Sequence, residues 1–362
     1  MGEVESEIDT RREITEKMSA ENKAAEFKCG FVAIVGRPNV GKSTLVNRLV
    51  GQKVSIVTQV SQTTRNRILG IVSRPEAQVI LIDTPGLNEG GTALRRHMLQ
   101  EIAQAMEGVD LLAVVLDASG PIGPGDKAVL QRANQFKGRA ILLLNKIDRI
   151  AKEKLLPLIN TCIHLREWTD IIPISARDGD GVELALKKFA EYLPVGPPLF
   201  PTDQVTDQPE RFLAGEIVRE KAMGVTHKEV PHAIAAIVDT FEETPKLTRI
   251  RVTLYVEQEG QKGILIGKGG EMLKKIGMAA RAEIETLLGT KVYLELHVTV
   301  QPGWRDNPAM VRQIDWRTQL SQLSEMSEDL DELNKNTGEF AEDDLAAENL
   351  ELDEEDEPGG ES

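Results

Sequence analysis

The sequence predicts a mostly parallel α/β domain with helices on both faces, followed by a smaller α+β domain. Three observations predict it. Apolar, strand-like runs alternate with helical patterns from Cys29 to about Leu193, the signature of a parallel sheet. A stiff break follows at Pro194-Val195-Gly196-Pro197-Pro198-Leu199-Phe200-Pro201, a boundary composition. Beyond it the order is helix, two alternating β-rich runs, a Gly-rich turn, helix and strand.

In chain order, residues 1–28 are charged, and Val4, Ile8 and Met18 make too sparse an apolar face for a membrane-surface helix. A loose helical or disordered extension is expected there. A first domain over 29–195 carries strands at Phe31–Val35, Ile68–Val72, Val79–Ile82, Leu111–Leu116, Ala140–Leu144 and Ile171–Ile174. Its helices fall at Ser43–Val50, Leu94–Met106, Asp126–Gln135, Lys152–Leu165 and Gly181–Tyr192. A Pro-rich linker spans 196–209. A second domain over 210–320 has helices at Glu210–Met223 and Glu271–Leu288, strands at Ala233–Phe241, Arg249–Glu257 and Lys291–Val300, and a short helix over 308–320. Residues 321–362 hold 17 acidic residues against Lys335 alone, a solvated, disordered tail by composition. An RNA mimic or interaction tail is the functional alternative.

The chain has 362 residues and a formal charge of −15. The tail accounts for that charge, because residues 1–320 carry about +1 by the same count. Two distant cysteines, Cys29 and Cys162, make no disulfide framework and suit a reducing cytosol. The five histidines are scattered, without metal-binding spacing or a catalytic arrangement. Runs such as Val109–Leu116 are too short to span a bilayer, and the acidic N-terminus is neither a secretory signal nor a transit peptide.

The chemistry-bearing motifs sit just after strand-like runs, where ligands bind in such a sheet. Gly36-Arg37-Pro38-Asn39-Val40-Gly41-Lys42-Ser43-Thr44 fits the phosphate loop G-x-x-x-x-G-K-[ST]. Its backbone N–H groups and the following helix N-terminus would cradle a triphosphate. Lys42 would reach the β- and γ-phosphates, and the Ser43 hydroxyl would sit on Mg²⁺. Asp83-Thr84-Pro85-Gly86 supplies an aspartate for Mg²⁺ and a glycine N–H for the γ-phosphate; a plain N-cap turn is its structural alternative. Asn145-Lys146-Ile147-Asp148 offers a carboxylate that accepts from both guanine N1–H and N2–H₂, which adenine lacks. Asn145 is expected to tie the loop to the base edge, and the Lys146 stem to cover the base face. A backbone N–H of Ser175-Ala176-Arg177 would meet guanine O6. Gln62-Thr63-Thr64-Arg65 can supply a metal-binding hydroxyl, Thr64, on a mobile switch.

Taken in this order, the five motifs resemble those of the TRAFAC-class small GTPases. The combination Gly-Arg-Pro-Asn-Val-Gly-Lys-Ser, Gln-Thr-Thr-Arg, Asp-Thr-Pro-Gly-Leu and Asn-Lys-Ile-Asp looks like the Era branch. The resemblance implies slow intrinsic GTP hydrolysis carried by Lys42, Thr64, Gly86 and Asn39. It implies GTP or GDP as ligand, and Mg²⁺ at Ser43, Thr64 and Asp83. Asn39 is also implied to help hold K⁺, a turn role being its alternative. Leu87 stands where Ras-like enzymes orient water with Gln, so hydrolysis must lean on electrostatics around the phosphates. Arg177 departs from the Glu or Lys frequent in relatives.

In the second domain, Gly267-Lys268-Gly269-Gly270 is a G-x-x-G loop before a helix. Lys262, Lys268, Lys274, Lys275 and Arg281 surround it with only Glu271 opposing, a local cationic surface. Alone the loop reads as a turn; in this element order it resembles a type II KH domain, whose glycines let a nucleic-acid backbone approach. The resemblance covers 29 to roughly 320. It implies binding of 16S rRNA near its 3′ end, association with the 30S subunit during maturation, and a cytoplasmic monomer that is peripheral on the cytoplasmic face of the cell membrane. An RNA chaperone with a hydrolytically idle nucleotide domain is the alternative, and a tRNA-modifying or membrane-acting GTPase a third reading.

Overall fold

The computed structural model describes residues 26–58, 60, 63–86, 91–318, 320 and 321. The expectations for the rest of the N-terminal extension, for the acidic tail beyond 321, and for Gln62 and Leu87 lie outside the described residues. The described chain falls into two compact units, one up to Val311 and one from Arg312; in the latter, Arg317 pairs with Asp315 at 2.8 Å.

The first sheet has six strands: β1 (Lys28–Val35), β2 (Ile68–Ser73), β3 (Ala77–Asp83), β4 (Leu111–Asp117), β5 (Arg139–Asn145) and β6 (Asp170–Ile174). Their order is β2-β3-β1-β4-β5-β6, with β2 antiparallel to β3 and every other pairing parallel. The central strands are apolar on both faces because helices cover both. Val32, Ile34, Leu111, Ala113, Ile141 and Leu143 lie in one core layer, and Ala33, Val35, Leu112, Val114, Leu142 and Leu144 in the opposite one. Five helices flank this sheet: α1 (Lys42–Val50), α2 (Ala93–Met106), α3 (Pro124–Ala133), α4 (Leu155–Ile163) and α5 (Val182–Tyr192). Their ends follow local chemistry. Thr92 caps α2 by accepting the Arg95 N–H at 3.2 Å. Pro124 starts α3, and Asp126 reaches back to the Gly123 N–H at 3.0 Å. The stretch 152–165 divides into a 3₁₀ turn, Lys152–Lys154, and α4.

The Pro-rich linker is not a free spacer. Gln78 on β3, fully buried, accepts the Leu199 and Phe200 N–H groups at 2.8 and 3.0 Å and donates to the Phe200 carbonyl at 2.8 Å. Farther on, Ile71 donates to the Val205 carbonyl, and Thr206 Oγ1 to the Leu69 carbonyl, both at 2.8 Å. The linker thus runs along β2, the sheet edge, and covers its unpaired backbone.

The second domain contains α6 (Glu210–Gly224), β7 (Ala235–Glu243), β8 (Thr248–Val256), α7 (Glu259–Ile266), α8 (Glu271–Leu288), β9 (Val292–Val300) and the short α9 (Pro308–Gln313). Its sheet runs β7-β8-β9, antiparallel then parallel. Val218, Ile234, Val252, Leu254, Leu265, Ile276, Ala280 and Ile284 form its core. Two expectations need correction. The stretch read as a Gly-rich turn contains α7: Gln261 Oε1 accepts the Glu257 and Gln258 N–H groups at 2.8 and 3.2 Å, capping the helix start, and Leu265 anchors it in the core. Gly260 and Gly263, poor helix formers, disguised it. The helix expected over 308–320 is interrupted: it ends at Gln313, breaks at Ile314 and Asp315, and helix resumes at 316–318.

Gln78→Leu leaves two partly buried linker N–H groups without their acceptor. The variant is expected to lose about 1–3 kcal/mol of stability, measured by urea denaturation with an unchanged m-value.

Candidate functional site

The phosphate loop joins β1 to α1. Gly41, at φ 101°, starts the helix in a backbone region closed to most side chains. Lys42 is buried, its Nζ donating to the Gly36 and Arg37 carbonyls at 3.1 and 3.2 Å, so the ammonium stands on the loop rim. Burial pushes its pKa down to about 8, against the pull of Asp83. The Gly86 position abuts the loop: a Cβ there would lie 2.7 Å from Pro38. Pro38, Asn39, Gly41, Lys42, Ser43, Thr44, Thr63, Thr64 and Gly86 line one cleft.

Beside them, Ser43 Oγ donates to Asp83 Oδ2 at 2.7 Å and stands 2.9 Å from Thr64 Oγ1. Neighbouring ligands about 2.1 Å from an octahedral Mg²⁺ are about 3 Å apart, so these two hydroxyls fit adjacent positions on that ion. Among the described residues Asp83 Oδ1 is buried without a hydrogen-bond partner, and burial raises the carboxyl pKa against Lys42, Ser43, Ser55 and Thr64. A divalent cation would offset that cost. The residues present therefore fit Mg²⁺.

The side chains of other named residues bond within the protein. Asn145 Nδ2 donates to the Val40 carbonyl at 2.6 Å and Oδ1 accepts the Ala176 N–H at 2.9 Å. It ties loop to loop, and one amide N–H and one oxygen lone pair stay available beyond these two bonds. Thr84 Oγ1 donates to the Ile34 carbonyl at 2.7 Å, facing β1. Arg37 pairs with Asp117 and Asp126 at 3.3 and 3.0 Å. Lys146 Nζ donates to the Asn39 carbonyl at 2.6 Å and to Asp117 at 2.8 Å.

Asp117 and Ser55 were missed by sequence reasoning. Asp117, at the end of β4, joins Arg37 to Lys146; burial raises its pKa, but bonds from Lys146 and Ser119 hold the carboxyl below its ordinary value. Its strand-end position was the available signal. Ser55 Oγ donates to Asp83 at 2.9 Å, with no local motif to announce it.

At the base-reading end, the Asp148 side chain is 8% exposed. Ser175 Oγ donates to its Oδ1 at 2.7 Å, and Arg177 lies 3.0 Å from Oδ2. A carboxylate held by a hydroxyl at a cleft edge is suited to paired N–H donors.

In the second domain, Gly267, Gly269 and Gly270 all have positive φ, at 73°, 60° and 82°. They bring the loop to the N-terminus of α8 at the edge of a cavity of about 320 Å³. Gly270, Leu273, Lys274, Met278, Arg281 and Leu294 are among its lining residues, an apolar floor with cations at the rim. Lys268 and Lys275 are exposed nearby, whereas Lys262 is half-buried on α7; none of the three lines the cavity.

Family models for "50S ribosome-binding GTPase" and "KH domain" match residues 31–146 and 229–305. GTPase Era of Syntrophus aciditrophicus is 46% identical over 292 residues, covering 80% of this chain and 95% of that protein. GTPase Era of Ruminiclostridium cellulolyticum is 45% identical over 293 residues, covering 81% and 98%. A crystal structure of Era with MgGDPNP and nucleotides 1506–1542 of 16S ribosomal RNA aligns with TM-score 0.78 and 43% identity, over 80% of this chain and 99% of that one. A variant of Aquifex aeolicus Era bound to GDP and AlF₄⁻ aligns with the same score, identity and coverage.

Asp148→Asn replaces an acceptor pair by one acceptor and one donor. It is expected to weaken guanine nucleotide binding by about 1–3 kcal/mol and to shift preference toward xanthine nucleotides. Competition between GDP and XDP for a fluorescent nucleotide measures both effects.

Proposed function

The chain belongs to the Era family of GTPases, and on that premise we propose that it binds 16S rRNA near its 3′ end as a nucleotide-controlled checkpoint in 30S subunit maturation. The observation that carries the reading is the presence, in one chain, of the Ser43–Thr64–Asp83 cluster at a phosphate loop and a glycine-lined cationic groove. A relative solved with both a magnesium-bound GTP analogue and an rRNA fragment supports it.

In the proposed mechanism the backbone of Gly36–Thr44 cradles the triphosphate, Asp148 reads guanine, and Thr84, Pro85 and Gly86 bring a backbone N–H toward the γ-phosphate. Lys42 stabilises the charge that gathers on the β–γ bridge and γ-oxygens as an in-line water attacks. Ser43 and Thr64, with Asp83 behind them, would hold Mg²⁺, which would supply positive charge to neutralise the triphosphate. Leu87 brings no water-orienting amide, so catalysis is electrostatic. Hydrolysis frees Thr64 from the γ-phosphate side and loosens the switch. In the second domain Gly267–Gly270 admits the RNA backbone, with Lys268, Lys274, Lys275 and Arg281 on the phosphates and Lys262 at greater distance.

Three finer elements belong to the same proposal. K⁺ beside the phosphates is supported by the place of Asn39 in the loop, where its φ is 63°. Peripheral attachment to the cytoplasmic face of the membrane and a monomeric state rest on the family resemblance. Among the described residues no helix is long and apolar enough to cross a membrane.

RNA carrying the 16S 3′ end is expected to bind at least about fivefold tighter with a GTP analogue than with GDP, read by filter binding. Equal affinity with analogue, GDP and no nucleotide removes the switch. For the cation, replacing K⁺ by Na⁺ is expected to slow wild-type turnover and to leave Asn39→Ala unaffected. Turnover indifferent to the exchange in both proteins rejects a K⁺ site.

A further inference from the structure

Helix α6 belongs to the RNA-binding half of the chain, yet one of its turns grips the backbone of the nucleotide switch. Glu220 Oε1 accepts the Val57 N–H at 2.9 Å, while Oε2 takes Lys53 Nζ at 2.5 Å. One residue earlier, Arg219 donates through Nη2 to the Thr63 carbonyl at 2.5 Å. The remaining edge of that guanidinium is locked by Glu216, at 2.6 Å from both Nε and Nη2. Its side chain is only 1% exposed.

Between the two grips the switch closes on itself. The Thr58 and Thr63 hydroxyls are 2.9 Å apart, and both donate to the Val60 carbonyl. Just past Thr64, the Arg65 guanidinium donates to the His232 carbonyl at 3.3 Å and lies 5.2 Å from the centre of the Trp304 ring. Trp304 is itself wholly buried and bonded to the Ala233 carbonyl at 2.8 Å. Both neighbours of Thr64 are therefore held by the second domain. Lys53 extends the contact to Glu283 on α8.

These grips differ from ordinary domain packing in what they hold. Val57 N–H and the Thr63 carbonyl are main-chain groups, and the second belongs to the peptide that ends at Thr64. The Thr64 backbone cannot move away from Ser43 and Asp83 without shifting that peptide. Shifting it strips an acceptor from a buried cation, which is unfavourable. A planar guanidinium fixed along one edge by Glu216 is a rigid donor, so it selects one position of the peptide.

We propose that Arg219 and Glu220 are positioning residues of the GTPase: α6 holds the switch so that Thr64 faces Ser43 and Asp83. The inference rests on the reading of Thr64 as a Mg²⁺ ligand. GTP with Mg²⁺, which engages Thr64, then favours the gripped arrangement, and GDP does not need it. The second domain thus contributes to discrimination between the two nucleotides without touching either.

In the full-length protein, Arg219→Met keeps the length and apolar stem and removes the donor. Its affinity ratio for a GTP analogue over GDP is expected to fall about tenfold, and the Mg²⁺ needed for half-maximal turnover to rise. GDP affinity and RNA binding with GDP stay at wild-type values, and Arg219→Lys regains part of the ratio. A purely structural role would not move the Mg²⁺ requirement. An unchanged ratio in Arg219→Met, with Thr64→Ala lowering it in the same assay, overturns the proposal and leaves the Mg²⁺ assignment standing. If Thr64→Ala leaves the ratio unchanged too, the proposal falls together with that assignment. Should Arg219→Met fail to fold, hydrogen exchange at the wild-type Val57 amide decides. Slower exchange with the GTP analogue than with GDP supports the grip, and equal exchange contradicts it.

Discussion

Asp83 is a carboxylate placed at the end of a central strand where water does not reach it. Ser43, Ser55 and Thr64 face one of its oxygens, and the other has no hydrogen-bond partner. A buried ion in that condition is costly, and it is tolerable where a counter-charge belongs to the working state. Much of the first domain serves that arrangement. Parallel pairing of β1 with β3 sets Ile34 beside Asp83, which brings the phosphate loop to the carboxylate. The helix that begins at Lys42 brings the opposing cation and the Ser43 hydroxyl. Ser55 and Thr64 both come from stretches with no regular structure; Asn47 on α1 holds the Ser55 backbone, whereas Thr64 is secured from the second domain.

That external support links the two domains. Arg219, Glu220 and Trp304 meet the backbone or side chains on either side of Thr64, while α6 and α8 share a core through Val218 and Ala280. The glycine loop lies at the start of α8. Binding at either site therefore acts on elements packed against the other. Arg65 shows how tightly this joint is built: burial, with Arg219 and Arg305 close by, lowers its pKa, opposed by Glu216. A cation kept there at such cost gives the joint one preferred geometry.

Much of the fold was legible because its signals are local. Continuous apolar runs mark strands covered on both faces, and turn chemistry after each run marks the ligand end. Glycines, Lys42, Asp83 and Asp148 are legible for the same reason: one short stretch holds both the residue and its context. What escaped depends on contacts distant in sequence. Nothing near Arg219 indicates Thr63 as its acceptor, and nothing near Gln78 indicates the linker. The protein partners of Asn145, Val40 and Ala176, were not legible either, because both lie outside its motif. Helix α7 was hidden by two glycines whose cost its capping and the burial of Leu265 offset. Local propensity was outweighed there by packing.

The central claim is that the second domain and the nucleotide share one switch, and thermodynamic reciprocity tests it directly. The quantity to measure is the ratio of GTP-analogue to GDP affinity, by titration calorimetry, with and without saturating 16S 3′-end RNA. A shared switch predicts that RNA raises this ratio by the same factor by which the analogue, relative to GDP, tightens RNA. A ratio unaltered by RNA, with the RNA demonstrably bound, would contradict it.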